Sequence, residues 1–291
     1  MAKFAESELV LNKDGSVYHL NLKPRHIADY VLIVGDPSRV HRISKHFDKI
    51  EYEMNKREFI THVGTYKGTR ITAMSTGMGT DNIEIFFTEL DALVNIDLKK
   101  KEIKPRKRSL KVIRIGTSGG IQEDVPVGSH VASEYGLGLD NLMAFYNFPQ
   151  DEFADKICSR VQKEVGLEFK PYLAKGSSEL LAQIGEGMIV GNTITSPGFY
   201  APQGRKIRLD LRYPKLLQHL ARFHYRNFWL TNFEMETSAL YAMAQMLGHQ
   251  MLSVNAIIAN RASGAFSKNP YRTVDALIKK VLDRIAAGEK A

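Results

Sequence analysis

A disulfide cannot form within this chain, because Cys158 is the only cysteine among its 291 residues. The core therefore has to hold by packing alone, and a chain of this length can bury enough apolar surface to do so. The scarcity of thiols fits a reducing compartment. The opening stretch, MAKFAESELVLNKDG, has no apolar signal core, so a cytoplasmic protein is expected. No run approaches the ~20 apolar residues of a membrane helix, so no membrane partner is expected. Phosphate-loop and dinucleotide fingerprints, GxxxxGK[ST] and GxGxxG, are missing, which makes ATP and NAD poor candidates. The nine histidines contain no HxxxH pair, so no zinc site announces itself.

Most of the chain also lacks excess charge. The net charge is +8, but the segment KKKEIKPRKRSLK, Lys99 to Lys111, sets eight basic residues against one acid and carries +7 of it. The plain expectation is a basic surface loop between a helix and a strand. A nucleic-acid contact is the sharper alternative, but no aromatic residue interrupts the run to stack on bases, so nucleic acid is not an expected partner.

What is present is a steady alternation. YVLIVGD, REFITHVGTYKG, TRITAMSTG, KVIRIGTSGG, GSHVASEYG, GMIVGNTIT and QMLSVNAIIANR read as strands. Between and after them, PSRVHRISKHF, TDNIEIFFTELDALVNI, DEFADKICSRVQKEVG, ETSALYAMAQMLG and YRTVDALIKKVLDRIAAG carry helical spacing. This pattern predicts an α/β fold with a central sheet covered on both faces. No repeat, linker or break in composition divides it, so residues 1–291 are expected to form a single domain, with about the first fifteen residues extended.

Ligands in such folds gather beyond the carboxyl ends of the strands. Three strand exits there suit an anion: VGDPSR, with Gly35 and Arg39; MSTGMGTDN; and RIGTSGG, with Arg114 and Thr117. Taken singly, each could be no more than a glycine turn. In NFEMETSAL, Glu234 and Glu236 lie two apart in an extended stretch and so point the same way, where they could grip vicinal hydroxyls; a helix-capping acid is the alternative. In FYAPQGR, Phe199, Gln203 and Arg205 offer a ring, an amide and a guanidinium, which could hold a flat ring with polar edges.

Seven motifs occur in order: GDPSRV, REF, STGMG, RIGTSGGI, FYAPQGR, NFEMETSAL and IIANR. In that order the chain resembles the nucleoside phosphorylase superfamily, and within it the uridine phosphorylase branch, from about His19 to the C-terminal helix. The resemblance implies a single α/β domain with a central mixed, partly barrel-like sheet flanked by helices, and a homo-oligomer built from dimers, either a dimer or a hexamer. It implies a phosphate site at Gly35, Arg39, Arg114 and Thr117, with Arg57 reaching the phosphate of a neighbouring subunit. It implies ribose contacts from Thr117, Glu234, Met235 and Glu236, with His19 crossing the same interface. It implies a base pocket of Phe199, Gln203, Arg205, Ile258, Ala259 and Arg261. Glu58 and Ser75 match a monovalent-cation site between subunits, with potassium the candidate ion. No other cofactor is implied, inorganic phosphate being a co-substrate.

The activity implied is the reversible phosphorolysis of uridine to uracil and ribose 1-phosphate, with Arg205, Gln203, Glu236 and Arg114 carrying the chemistry. The alternative is a purine nucleoside phosphorylase, whose branch places an aspartate where this chain has Asn260. A nucleosidase, or a non-catalytic nucleoside- or RNA-binding protein, stands further off. The basic segment, the stretch FKPYLAKGSSELLAQIGEG and the region before NFEMET, with its helix-like PKLLQHLARFHYRNFW, depart from the bacterial pattern.

Overall fold

The computed structural model describes residues 3–288. Its strands are β1 (Tyr30–Val34), β2 (Lys49–Lys56), β3 (Phe59–Tyr66), β4 (Thr69–Ser75), β5 (Ile96–Asp97), β6 (Glu102–Ile103), β7 (Lys111–Gly120), β8 (His130–Gly138), β9 (Tyr172–Lys175), β10 (Ile189–Thr195), β11 (His224–Tyr225), β12 (Phe228–Trp229), β13 (Asn232–Glu234) and β14 (Gln250–Asn260). Its helices are α1 (Ser38–Ser44), α2 (Thr80–Asn95), α3 (Glu152–Val165), α4 (Ser178–Ile184), α5 (Leu216–Arg222), α6 (Thr237–Leu247) and α7 (Pro270–Gly288).

The sheet is mixed and partly closed. Strands run in the order β13-β10-β8-β14-β7, and β13 returns to pair antiparallel with β7 through Asn232–Gly120 and Phe233–Gly119. Five strands thus close a small barrel, as the partly barrel-like expectation requires. From β7 the sheet continues outward as β1-β4-β3-β2, and β9 branches from β8. Strand β1, YVLIV, is buried at every residue because it lies between parallel neighbours and under helices on both faces. Helices α2 and α6 share one apolar cluster, whereas α1, α4 and α7 share another with β1 and β14. Helices α3 and α5 cover the barrel beside β13. Helix α3 shows how sequence sets an element: Asp151 caps it by accepting from Ala154 N at 2.7 Å, and Ala154, Ile157, Cys158 and Val161 form its buried stripe.

Three expectations need correction. The N-terminal segment is folded, not extended: turns at Ala5–Leu9 and a bridge from Leu11 to Val17 pack it down, and Phe4 N donates to Lys101 O. PKLLQHLARFHYRNFW is helical only over α5; its second half is the β11–β12 hairpin, which Tyr225, Phe228 and Trp229 suit better than a helix. The basic segment is more than a solvated loop. Glu102 and Ile103 pair with β5, Lys104 Nζ donates to Val94 O, and Arg108 holds Asp29 and the carbonyl of Ile27. Among the described residues, no helix is long and apolar enough to cross a membrane.

Candidate active site

The carboxyl ends of β1, β4, β7, β10, β13 and β14 open into one cavity of about 970 Å³, within the size range of small-molecule sites. Fourteen of the residues singled out from the sequence line it: Gly35, Arg39, Glu58, Arg114, Thr117, Phe199, Gln203, Arg205, Glu234, Met235, Glu236, Ile258, Ala259 and Arg261. Chain segments more than two hundred residues apart in sequence meet there.

At one end stand two arginines. Asp36 accepts from Ser38 N at 2.9 Å, which starts α1 and sets Arg39 in its first turn. Arg39 Nη2 approaches Thr117 Oγ1 at 3.4 Å. Burial, and then the positive charge of Arg114, lower the Arg39 pKa. Two guanidiniums held close in a partly dry pocket favour an anion between them.

Arg114 itself is buried in a cage. Nη1 donates to Asn255 Oδ1 at 2.8 Å, while Nη2 lies 2.5 Å from Glu236 Oε2 and 3.2 Å from Glu234 Oε2. Burial opposes its charge, but the two glutamates outweigh that and raise its pKa. Room for the guanidinium exists only because residue 116 is glycine: a Cβ there would sit 2.0 Å from Arg114 Nη1.

The two glutamates differ in task. Glu234 accepts from the backbone N–H of Glu236 and of Thr237 and from Thr195 Oγ1, so it caps α6 as well as facing Arg114. The helix-capping reading of this acid is the one seen, and its oxygens are largely committed within the chain. Glu236 reaches further into the cavity, where Oε1 accepts from Gly79 N at 2.8 Å. Burial pushes the Glu236 carboxyl above its ordinary value, with Arg114 pulling the other way. Gly79 has φ 94°, a conformation natural to glycine, and this aims its N–H at Glu236.

The other end is built by the 199–205 loop. A turn of 3-10 helix, Ala201–Gln203, buries the Gln203 amide, and Arg205 Nη1 donates to Gln203 Oε1 at 2.6 Å and to Phe199 O at 2.5 Å. The Arg205 guanidinium stacks 3.8 Å above the Phe199 ring. Burial, and then Arg261, lower the Arg205 pKa. Arg261 Nη1 donates to Gln203 O at 3.1 Å, steadying the loop from the far wall. That wall depends on a bulge in β14. Ile257 pairs with Ser118 and Ala259 with Gly119, so Ile258 is the extra residue, and Ile258 and Ala259 both face the cavity.

Asn260 is fully engaged. Nδ2 donates to Gln122 O and Val125 O, each at 2.8 Å, and Oδ1 accepts from Ala262 N and Ser263 N. It shapes the loop after β14 and has no capacity left to serve a base.

Three singled-out residues do not line the cavity. His19 is tied to α2, with Nδ1 2.7 Å from Glu89 Oε1. Arg57 is exposed at the tip of the β2–β3 hairpin with φ 55°. The two share a face, because Lys56 Nζ donates to Tyr18 O at 2.5 Å. Ser75 is buried; its hydroxyl donates to Glu58 O and accepts from Ile60 N. Within one chain the Ser75 hydroxyl ties the Glu58 carbonyl across the β3–β4 strands, and a cation site between subunits would need a second copy to complete it.

The sequence reading missed Asn255, Ser253, Gly116 and Thr195, which hold Arg114 and Glu234 in place. One signal was available: Ser253 and Asn255 are polar residues two apart inside an apolar strand, facing the same side of the sheet as Arg114 on β7.

The profile of the phosphorylase superfamily matches residues 29–287. The chain belongs to the phosphorylase superfamily. Like other nucleoside phosphorylases it is an enzyme of the pentosyltransferase class. Its similar relatives include a uridine phosphorylase of Thermococcus kodakarensis, 30% identical over 266 residues, covering 91% of this chain and 85% of that one. A DeoD-type purine nucleoside phosphorylase of Oceanobacillus iheyensis is 30% identical over 241 residues, covering 81% and 84%. Among solved structures, the Trypanosoma brucei nucleoside phosphorylase, reported to show uridine phosphorylase activity, superposes with a TM-score of 0.87 at 29% identity, covering 96% of this chain and 99% of that one.

Proposed function

We propose that this phosphorylase catalyses the reversible phosphorolysis of uridine to uracil and ribose 1-phosphate. The observation that carries the choice of base is the pairing of the buried Gln203 amide with Arg205, on a loop facing an Asn260 that is spent on its own turn. An amide offers donor and acceptor together, matching a uracil N3–H beside a carbonyl, and Arg205 would donate to a uracil oxygen. A purine reaction would need an acid at the Asn260 position, and a neutral, fully bonded amide cannot protonate a ring nitrogen.

In this reading Arg39, Arg114 and Thr117 hold the phosphate, with Gly35 letting the chain turn beside it. Glu236, with Met235 beside it, holds the ribose hydroxyls, and Glu234 fixes the start of α6 that carries Glu236. One phosphate oxygen forms a bond to C1′ as the bond from C1′ to the base nitrogen breaks. The electron pair of that bond leaves with uracil, which is then protonated by solvent. No side chain acts as nucleophile; catalysis is positioning plus stabilisation of the charge growing on uracil. We further propose that the chain works as a dimer in which His19 and Arg57 of one copy serve the other copy's ribose and phosphate. Their shared placement outside their own cavity supports this.

The test is a UV absorbance assay on uridine and on inosine, each with and without orthophosphate. Phosphate-dependent loss of uridine is expected. Phosphate-dependent loss of inosine alone would overturn the base assignment. Loss without phosphate would make the protein a nucleosidase.

A further inference from the structure

A second cleft lies at the opposite end of the sheet. Strands β1, β4 and β7 run parallel, begin at this cleft and end at the catalytic cavity. The cleft, of about 460 Å³, is lined by Ile27, Asp29, Tyr30, Lys67, Arg70 and Arg108, together with Ala28, Gly68 and Thr69. Its lining holds three cations and one carboxylate, and Asp283 and Glu51 bond two of those cations from outside the lining. Arg108 belongs to the basic run that the catalytic site leaves unused, and that run places Arg106 and Lys107, both exposed, beside it. Lys111 reaches Tyr30 OH at 3.2 Å on the same wall.

Each lining cation has an acid partner: Lys67 with Asp283 at 2.7 Å, Arg70 with Glu51 at 2.8 Å and Arg108 with Asp29 at 2.6 Å. The side chains of these pairs are 32% to 75% exposed, and ion pairs that share water in this way add little to stability. An incoming polyanion can displace them cheaply. Lys67 sits at φ 50° in the β3–β4 turn, where glycine or asparagine would be less strained, so a long cation is kept at the rim at some cost. The aromatic in the wall, Tyr30, is 2% exposed and cannot serve as a stacking platform for bases. The cleft therefore recognises charge and not rings.

We propose that this cleft binds an oligophosphate, the phosphate chain of a nucleoside triphosphate or of inorganic polyphosphate, at a site separate from the catalytic cavity.

The experiment is calorimetric titration of the full chain in saturating orthophosphate, which fills the catalytic phosphate site. The probes are inorganic tripolyphosphate, UTP and a short single-stranded oligouridylate. Tripolyphosphate is expected to bind one per chain, more weakly as salt rises. K67Q/R70Q should weaken it on the order of tenfold while leaving phosphorolysis unchanged, each cation contributing through charge-assisted contacts. D29N, which removes the competing carboxylate, should tighten it, so the two variants move in opposite directions. Tighter binding of UTP would point to a nucleotide, and equal or tighter binding of tripolyphosphate to inorganic polyphosphate. The proposal is overturned if orthophosphate abolishes binding, if K67Q/R70Q leaves it unchanged, or if only the oligouridylate binds. The readout does not depend on which nucleoside the enzyme cleaves.

Discussion

Arg114 Nη2 and Glu236 Oε2 lie 2.5 Å apart, both side chains buried. The acid assigned to the sugar and the cation assigned to the phosphate are therefore one pair. Glu234 and Asn255 hold the same guanidinium from either side, so the geometry at one end of the cavity sets the geometry at the other.

Gly116→Ala tests this coupling without touching a substrate contact. The added Cβ would meet Arg114 Nη1 at 2.0 Å and Asn255 Oδ1 at 2.6 Å, and a buried network has nowhere to move both. Loss of one aligned charge-stabilising donor costs about 2.7–4 kcal/mol of barrier. We expect kcat/KM to fall by about that factor and phosphate to bind more weakly, while overpacking costs about 1–3 kcal/mol of stability. Steady-state kinetics over a phosphate series, beside thermal melts, read both effects.

Arg205→Ala removes the group that stacks on Phe199 and bonds Gln203 Oε1. Arg205 is only partly buried, so the fold should survive. Uridine turnover should drop about 10²–10³-fold. Near-normal turnover in a folded variant would dismiss the uracil assignment.

Asn260→Asp would place a carboxylate oxygen 2.8 Å from the carbonyls of Gln122 and Val125, which now accept from the amide. Unsatisfied buried groups of this kind cost about 1–3 kcal/mol each. The variant should melt lower and gain no inosine cleavage, because the side chain is turned into its own loop. Appearance of inosine phosphorolysis would refute that placement.

His26 gives a pH prediction. Burial first, then the charges of Arg25, Lys23 and Arg70, lower its pKa from 6.5 to about 4. Its Nδ1 faces Lys23 N at 3.2 Å, and its ring stacks on Tyr52 at 3.7 Å. The unfolded chain takes up a proton as pH falls through 6.5, whereas the folded chain resists until about 4. This contribution to stability is therefore complete above 6.5 and lost progressively between 6.5 and about 4. Thermal melts across that window should fall more steeply in the wild type than in His26→Phe, which keeps the stack and lacks the proton site. Parallel curves would remove His26 from the account.

Much of the fold was legible because period and punctuation are local. YVLIV had to be a buried strand, and the amphipathic α3 stretch that stops at Gly166 had to be a helix. Strand β2 escaped notice because its exposed, charged residues carry no apolar run. The β11–β12 hairpin was hidden behind a helix-like start at α5.

The candidate site divides along the same line. Order and chemistry along the chain put anion-binding turns at Gly35 and Arg114, paired acids at Glu234 and Glu236, and an amide with a guanidinium at Gln203 and Arg205; residue type and spacing are enough for that. Only the tertiary structure decided that β13 would close on β7 and bring the acids under Arg114, and that a bulge would turn both Ile258 and Ala259 inward. It also tied Asn255 to Arg114 and placed His19 and Arg57 outside their own cavity. These outcomes depend on which strands become neighbours and in what register. Pairing between segments more than a hundred residues apart is set by the packing of the whole core, which no local window of sequence contains.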